Sequence, residues 1–215
     1  MQGVNIVRES ELVRTSRLMQ MEGLFDVPAS QKIKQEWTVN LNLPDSWNVG
    51  LIVGASGSGK TTIAKEFFGN NIVNSFVWDE KKSILDSFPK EMGIKEIVDL
   101  LSSVGFSSPP SWVKPFHVLS NGEQFRVNMA RALAEMKDCA VVDEFTSVVD
   151  RTVAKIGSAA IQKTVRRKNQ KFIAVSCHYD IAEWLEPDWV YEPATDTLTV
   201  GRLLRRPEIN LIVKR

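Results

Sequence analysis

Residues 54–62 read Gly-Ala-Ser-Gly-Ser-Gly-Lys-Thr-Thr, a full match to G-x-x-x-x-G-K-[ST], and no other stretch of the chain restricts its fold so tightly. Such a motif needs a strand before it and a helix after it. Val49-Gly50-Leu51-Ile52-Val53 supplies an apolar run that reads as a buried strand. Thr62-Ile63-Ala64-Lys65-Glu66-Phe67-Phe68 reads as a helix stopped by Gly69. In that setting Gly54, Ala55, Ser56, Gly57, Ser58, Gly59, Lys60, Thr61 and Thr62 curl so that successive N–H groups converge on a phosphate at the positive end of a helix dipole. Lys60 is placed for the β- and γ-phosphates of a nucleotide, and the Thr61 hydroxyl for Mg²⁺. A plain glycine-rich turn is the alternative, and the flanking strand and helix argue against it.

Bulk properties narrow the setting. At 215 residues the chain is expected to form a single domain, large enough to bury a core without staples. With 27 basic and 26 acidic residues the net charge is +1, which neither demands nor excludes a nucleic-acid partner. The densest basic run, Lys163 to Lys171, is expected to end a helix, where cations offset the dipole and face water. Cys139 and Cys177 lie in apolar runs and read as reduced core residues, not as a metal pair. There is no signal-peptide pattern and no apolar run of membrane-spanning length, so the chain reads as cytoplasmic with no direct membrane insertion.

Periodicity gives an alternating order of elements. Glu9 to Met21 is expected as a helix and Trp37 to Leu43, apolar at every second position, as a half-buried strand. Strands are expected at Ile72–Trp78, Cys139–Asp143, Lys171–Ser176, 189–192 and 197–204. Helices are expected at Ser83–Ser87, Gly93–Val104, Gly122 to about Lys137, Arg151–Arg167 and 180–186. This implies an α/β fold with a mostly parallel core sheet, an antiparallel β part over about residues 1–50, and a short helical subdomain over about 80–125.

Four further strings stand in order behind the phosphate loop: Leu119-Ser120-Asn121-Gly122-Glu123, Val142-Asp143-Glu144-Phe145, Ser147-Val148-Val149-Asp150 and Ser176-Cys177-His178. Singly, Asp143-Glu144 also reads as a strand-end turn, Ser120 as a helix N-cap, and His178 as a surface loop residue. Together, in this order and spacing, they resemble the nucleotide-binding domain of ABC ATPases over roughly residues 20–192. The resemblance implies ATP and Mg²⁺ as ligands, with Thr61 and Asp143 at the metal and Lys60, Glu144 and His178 as catalytic residues. It implies an ATP-dependent homodimer in which Ser120 and Gly122 of one subunit face the γ-phosphate held by the other. An aromatic upstream of the loop would stack on adenine: Phe25 stands about where that residue belongs, with Trp37 as its rival.

The match has departures. The signature is usually L-S-G-G-Q; here Asn121 and Glu123 replace a glycine and the glutamine. The glutamate variant recurs in ABC ATPases of DNA maintenance and translation. Transporter cassettes carry a glutamine loop where this chain reads Phe76-Val77-Trp78-Asp79-Glu80. Only 58 residues separate Lys60 from Leu119, a compact helical segment. A closer resemblance runs through Asp143–Arg151, His178-Tyr179-Asp180 and Trp184–Trp189 to small bacterial and phage ABC-type ATPases, some fused to a predicted acetyltransferase-like domain. The expected function is therefore ATP hydrolysis by a stand-alone dimer in nucleic-acid or phage-related maintenance. A transporter's ATP-binding subunit and a low-turnover ATP-sensing module are the alternatives.

Overall fold

The computed structural model describes residues 4–28, 32–73 and 75–201. The chain divides into two compact units, Met1–Leu41 and Asn42–Arg215. In the first, β1 (Val4–Glu11) pairs antiparallel with β2 (Lys32–Val39), from Val4 opposite Val39 to Glu11 opposite Lys32. Between them lies α1 (Ser16–Phe25), whose N-cap Thr15 accepts a 3.3 Å hydrogen bond from the Leu18 N–H. The expected helix from Glu9 is thus a strand at its start, and the Thr15 cap begins the helix seven residues later. β2 stops at Val39, opposite Val4, short of the expected Leu43.

The second unit is built on a six-stranded sheet. Its strands are β3 (Val49–Val53), β4 (Ile72–Val73), β5 (Cys139–Val142), β6 (Lys171–Ser176), β7 (Trp189–Glu192) and β8 (Thr197–Val200). The order is β4-β5-β6-β3-β7-β8, parallel throughout except for the β7–β8 pair. The helices are α2 (Lys60–Phe68), α3 (Ile94–Ser103), α4 (Pro109–Trp112), α5 (Asn121–Glu135), α6 (Arg151–Arg167) and α7 (Ile181–Leu185). β4 is two residues long where a strand to Trp78 is expected; its partner among the described residues, β5, ends opposite Val73, at Val142. Residues 202–204 of the expected last strand lie outside the described residues.

Every residue of β3 is buried, as a central strand covered on both faces requires. Val49, Leu51 and Val53 join one cluster with Leu100, Val127 and Ile161, which draws α3, α5 and α6 onto a single face. Gly50 and Ile52 point to the opposite face. There the Trp189 indole lies over Gly50, stacks near-parallel to Phe68 at the end of α2 (centroids 6.5 Å apart) and meets Trp47 edge-on at 5.3 Å. The start of β3 is clamped. Asp188 accepts from the N–H groups of Asn48 (2.8 Å) and Val49 (3.0 Å) and takes both oxygens to Arg166, at 2.9 Å each. Burial pushes its carboxyl up, but those N–H donors and the guanidinium outweigh burial and hold it below the ordinary range.

Gly50 is required by its neighbour, since a Cβ there would sit 2.1 Å from Trp189 Cζ2. Gly50→Ala must therefore displace a wholly buried indole, and overpacking of that kind costs about 1–3 kcal/mol or more. Urea denaturation should show a lowered midpoint. A midpoint equal to wild type would mean that the indole is not seated as described.

Candidate active site

Parallel pairing brings the sequence motifs to one edge. Val53 stands opposite Ser176, and Val142 opposite Ala174, so the chain leaves β3, β5 and β6 on the same side at Gly54, Asp143 and Cys177. The crevice outside the carboxyl ends of parallel strands is where α/β sheets bind ligands.

The loop from β3 to α2 is shaped for an anion. Gly57 and Gly59 have φ of +80° and +88°, which favour glycine. Gly59 is the N-cap of α2 and offers no capping side chain, so the first-turn N–H groups of the helix are left for a ligand. The Gly54 N–H donates to the Ser176 carbonyl at 3.3 Å, extending the β3–β6 pairing into the loop. A Cβ on Gly54 would lie 2.9 Å from Ser58 Oγ, a buried hydroxyl with no partner. Lys60 is 8% exposed, and its ammonium donates to the Ala55 carbonyl at 2.8 Å. A buried cation held inside a ring of backbone donors fits a polyphosphate.

Asp143 and Glu144 follow β5 in a tight turn. Asp143 Oδ1 accepts from the Glu144 N–H at 2.9 Å. Glu144 (φ +52°) and Thr146 (φ +67°) both adopt the left-handed region, a costly conformation for residues with a Cβ. The exposed Glu144 carboxylate accepts from Ser147 Oγ at 2.8 Å. If Mg²⁺ binds, Thr61 and Asp143 are the residues that the sequence motifs assign to it. Among the described residues no cluster of three or more His, Cys, Asp and Glu forms a cage, so the ion would complete its shell with phosphate and water, as Mg²⁺ commonly does.

Sequence reasoning missed Ser176. Its hydroxyl, 1% exposed, donates to the Phe145 carbonyl at 3.0 Å and accepts from the His178 N–H at 3.2 Å. Together with the Phe145 N–H on the Val175 carbonyl (2.9 Å), it ties the carboxylate turn to the loop carrying His178. A serine closing an apolar strand was the only signal available. Cys177 is exposed, not buried as expected, because it is the first residue past β6. Cys139 is partly buried, and burial pushes its thiol up to about 11. Asp150 caps α6, accepting from the N–H groups of Thr152 and Val153 at 2.9 Å each.

The signature string opens α5. Ser120 is its N-cap in a reciprocal box: the Ser120 N–H and hydroxyl both donate to Glu123 Oε2 at 2.9 Å, and the Glu123 N–H reaches Ser120 Oγ at 3.4 Å. Ser111 of α4 donates to the other Glu123 oxygen at 2.8 Å. These donors, the Ser120 N–H first, lower the Glu123 carboxyl below its ordinary range. Gly122 backs onto α6, where a Cβ would meet Val153 at 3.3 Å.

In place of a glutamine loop, residues 76–78 lie on α5. Trp78 stacks on Phe116 (4.6 Å, 3°) and donates to Asn128 at 3.1 Å, while Arg131 sits 4.6 Å from the Phe76 and Trp78 ring centroids and donates to the Val77 carbonyl. Asp79 and Glu80 are exposed, and Asp79 is engaged by the Lys81 N–H and Lys82 of its own turn. A 570 Å³ cavity between this segment and α5 reaches Asp143 and Glu144 but no residue of 54–62. Phe25, at the end of α1 in the N-terminal unit, is 73% exposed, and Trp37 of β2 is partly buried.

Comparison with solved structures decides the fold. The dimeric structure of MJ0796, a bacterial ABC transporter cassette, superposes with a TM-score of 0.55 at 16% identity, covering 73% of this chain and 86% of that one. Its post-hydrolysis dimer bound to ADP and Pi gives 0.56 at 15% identity, over 81% and 90%. The cbiO1 protein of Clostridium perfringens, part of the ABC transporter complex cbiONQ, gives 0.56 at 17%, over 74% and 77%. The chain has the fold of an ATP-binding cassette. No family model matches it. Among curated proteins, the oligopeptide transport ATP-binding protein OppD of Lactococcus lactis subsp. cremoris is 25% identical over 174 residues, covering 58% of this chain and 52% of its own length. The ribosome protection protein VmlR of Bacillus subtilis is 25% identical over 118 residues, covering 46% and 21%. The chain thus spans about half or less of the length of these curated relatives.

Ser176→Ala tests the strut inside this cassette. Removing one hydroxyl strands the Phe145 carbonyl and the His178 N–H, which should cost about 1–3 kcal/mol in chemical denaturation. Nucleotide affinity should change little, since the loop's bond to residue 176 is to its backbone. A variant of unchanged stability would show that the hydroxyl does not join the two loops.

Proposed function

We propose that the chain is an ATPase whose active form is a homodimer closed around two ATP molecules. The observation that carries this is the convergence of the phosphate loop, the Asp143-Glu144 turn and the His178 loop at one edge of a parallel sheet. The dimeric MJ0796 cassettes that share the fold support the assembly.

The chain's own groups account for the chemistry. Backbone N–H groups at the α2 N-terminus and the Lys60 ammonium bind the phosphates and stabilise charge on the transferring group. Thr61 and Asp143 would hold Mg²⁺, which when bound neutralises phosphate oxygens. Glu144 orients the attacking water and accepts its proton, with Ser147 fixing one carboxylate oxygen. His178 contacts the γ-phosphate. Ser120 of the partner supplies a further donor, and to do so its hydroxyl must leave Glu123.

For the biological setting we favour work on nucleic acid in the cytoplasm. Glu123 and the 76–80 segment, which has no glutamine, support it. The resemblance to OppD supports a second reading, the ATP-binding subunit of a transporter. Turnover stimulated by DNA or RNA separates the first from the second, for which co-purification with a membrane protein is expected. Negligible turnover with every partner would leave an ATP-sensing module.

Lys60→Ala should abolish ATP binding in titration calorimetry, because a charge-assisted contact in a buried site is worth several kcal/mol. Glu144→Gln should bind ATP yet barely hydrolyse it, and accumulate as the dimer. Rapid turnover by that variant would move the base elsewhere.

Mixing tests the shared site. Ser120→Arg and Lys60→Ala should each be inactive alone, while the mixture regains part of the activity through heterodimers with one intact site. No recovery, with heterodimers confirmed by light scattering, would return Ser120 to a helix cap alone.

A further inference from the structure

The densest basic run in the sequence does not act as a block once folded. Arg166 turns inward: besides its two bonds to Asp188 it donates to the Glu186 carbonyl at 2.6 Å and to Gln162 at 3.2 Å. Lys163 and Arg167 face the other way and are exposed, and a third exposed cation, Lys155, falls on the same ridge of α6. Positions 155, 159, 163 and 167 recur every four residues, and all four line one groove of 600 Å³.

The other wall of that groove is the end of α3, with Ser102, Ser103 and Gly105. Thr164 Oγ1 joins the two walls, lying 2.9 Å from the Ser103 carbonyl and 2.8 Å from that of Ala160. The floor is small: a Cβ on Gly105 would lie 3.8 Å from the Ala160 Cβ. The same Cβ would lie 3.7 Å from Arg126 Nε, a buried nitrogen with no hydrogen-bond partner, so a fourth cation backs the groove. None of the ten residues lining it is acidic, and among the described residues Lys155, Lys163 and Arg167 form no ion pair.

We propose that this α3–α6 groove binds one phosphate backbone strand of a nucleic acid. The proposal rests on the nucleic-acid reading above and gives that reading a place. The stripe from Lys155 to Arg167 is roughly 18 Å long at 1.5 Å per residue. Each strand of a duplex carries a phosphate about every 3.4 Å of axis, so a backbone following the ridge meets all three cations. The small floor lets the backbone approach closely, and the serine hydroxyls can donate to phosphate oxygens. Contacts of this kind fix position without reading sequence. The groove is built from none of the catalytic residues, so its cations can be changed without touching hydrolysis.

The test is fluorescence anisotropy of the full chain with labelled single-stranded DNA, duplex DNA and RNA, with ATP, from about 50 to 200 mM salt. Three phosphate contacts give a log–log slope of about −2.7 on duplex, or about a fortyfold loss over that range. Lys155→Glu/Lys163→Glu/Arg167→Glu should lose at least about tenfold in affinity at the low-salt end, with the slope collapsed. Lys81→Glu/Lys90→Glu/Lys95→Glu, an equal change of charge elsewhere, should keep both. Unfolding midpoints and basal ATPase equal to wild type exclude a folding defect. If the groove variant binds like wild type, the groove is not the site although nucleic acid is still the ligand. If the wild-type chain binds none of the three probes at low salt, the nucleic-acid reading itself fails. Binding to phosphatidylserine vesicles but not to nucleic acid would overturn the proposal in favour of a membrane surface.

Discussion

Parallel pairing of β3 with β6, with Val53 set opposite Ser176, is the constraint on which the site depends. That register decides that the phosphate loop and the His178 loop begin at one level. The β5–β6 pairing then fixes the height of Asp143 and Glu144. A slip of one residue in a buried parallel strand would turn its side chains to the wrong faces, and here it would also pull one motif away from the others. The Phe172 N–H on the Asn48 carbonyl (2.7 Å) and the Gly54 N–H on the Ser176 carbonyl (3.3 Å) hold that register from opposite ends.

Much of the second unit was legible because its elements are local in origin. Val49–Val53, Arg151–Arg167 and Lys171–Ser176 fall where their apolar patterns place them. The misses have several causes. Pairing with β2 makes a strand of the residues after Glu9, and a pairing partner is invisible in a single stretch of sequence, whereas Cys177 is exposed because it lies just past β6. The motif loops that the sheet brings to one edge were marked in the sequence by their spacing. Ser176, Ser147 and Arg131 were not, since each acts through a hydrogen bond or ring contact across sequence distance.

Two polar residues are already occupied when the chain stands alone. The Ser120 hydroxyl donates a hydrogen bond to Glu123, and Glu144 accepts one from Ser147. Both engagements are charge-assisted hydrogen bonds to a carboxylate, each closed within a single loop or helix start. In the proposed dimer the Ser120 bond must be exchanged for one to the nucleotide, so the cost of that exchange would fall on assembly.

The Trp189 indole over Gly50 has a consequence across generations. The ring occupies the space that any Cβ at position 50 would need, and it also bears on Phe68 and Trp47. A smaller residue at 189 would leave a void, and a larger one at 50 a collision. Neither position can drift by itself, so the two are inherited as one unit: where a descendant chain has lost the indole, position 50 is free to carry a side chain, and where it keeps the indole, glycine must stay.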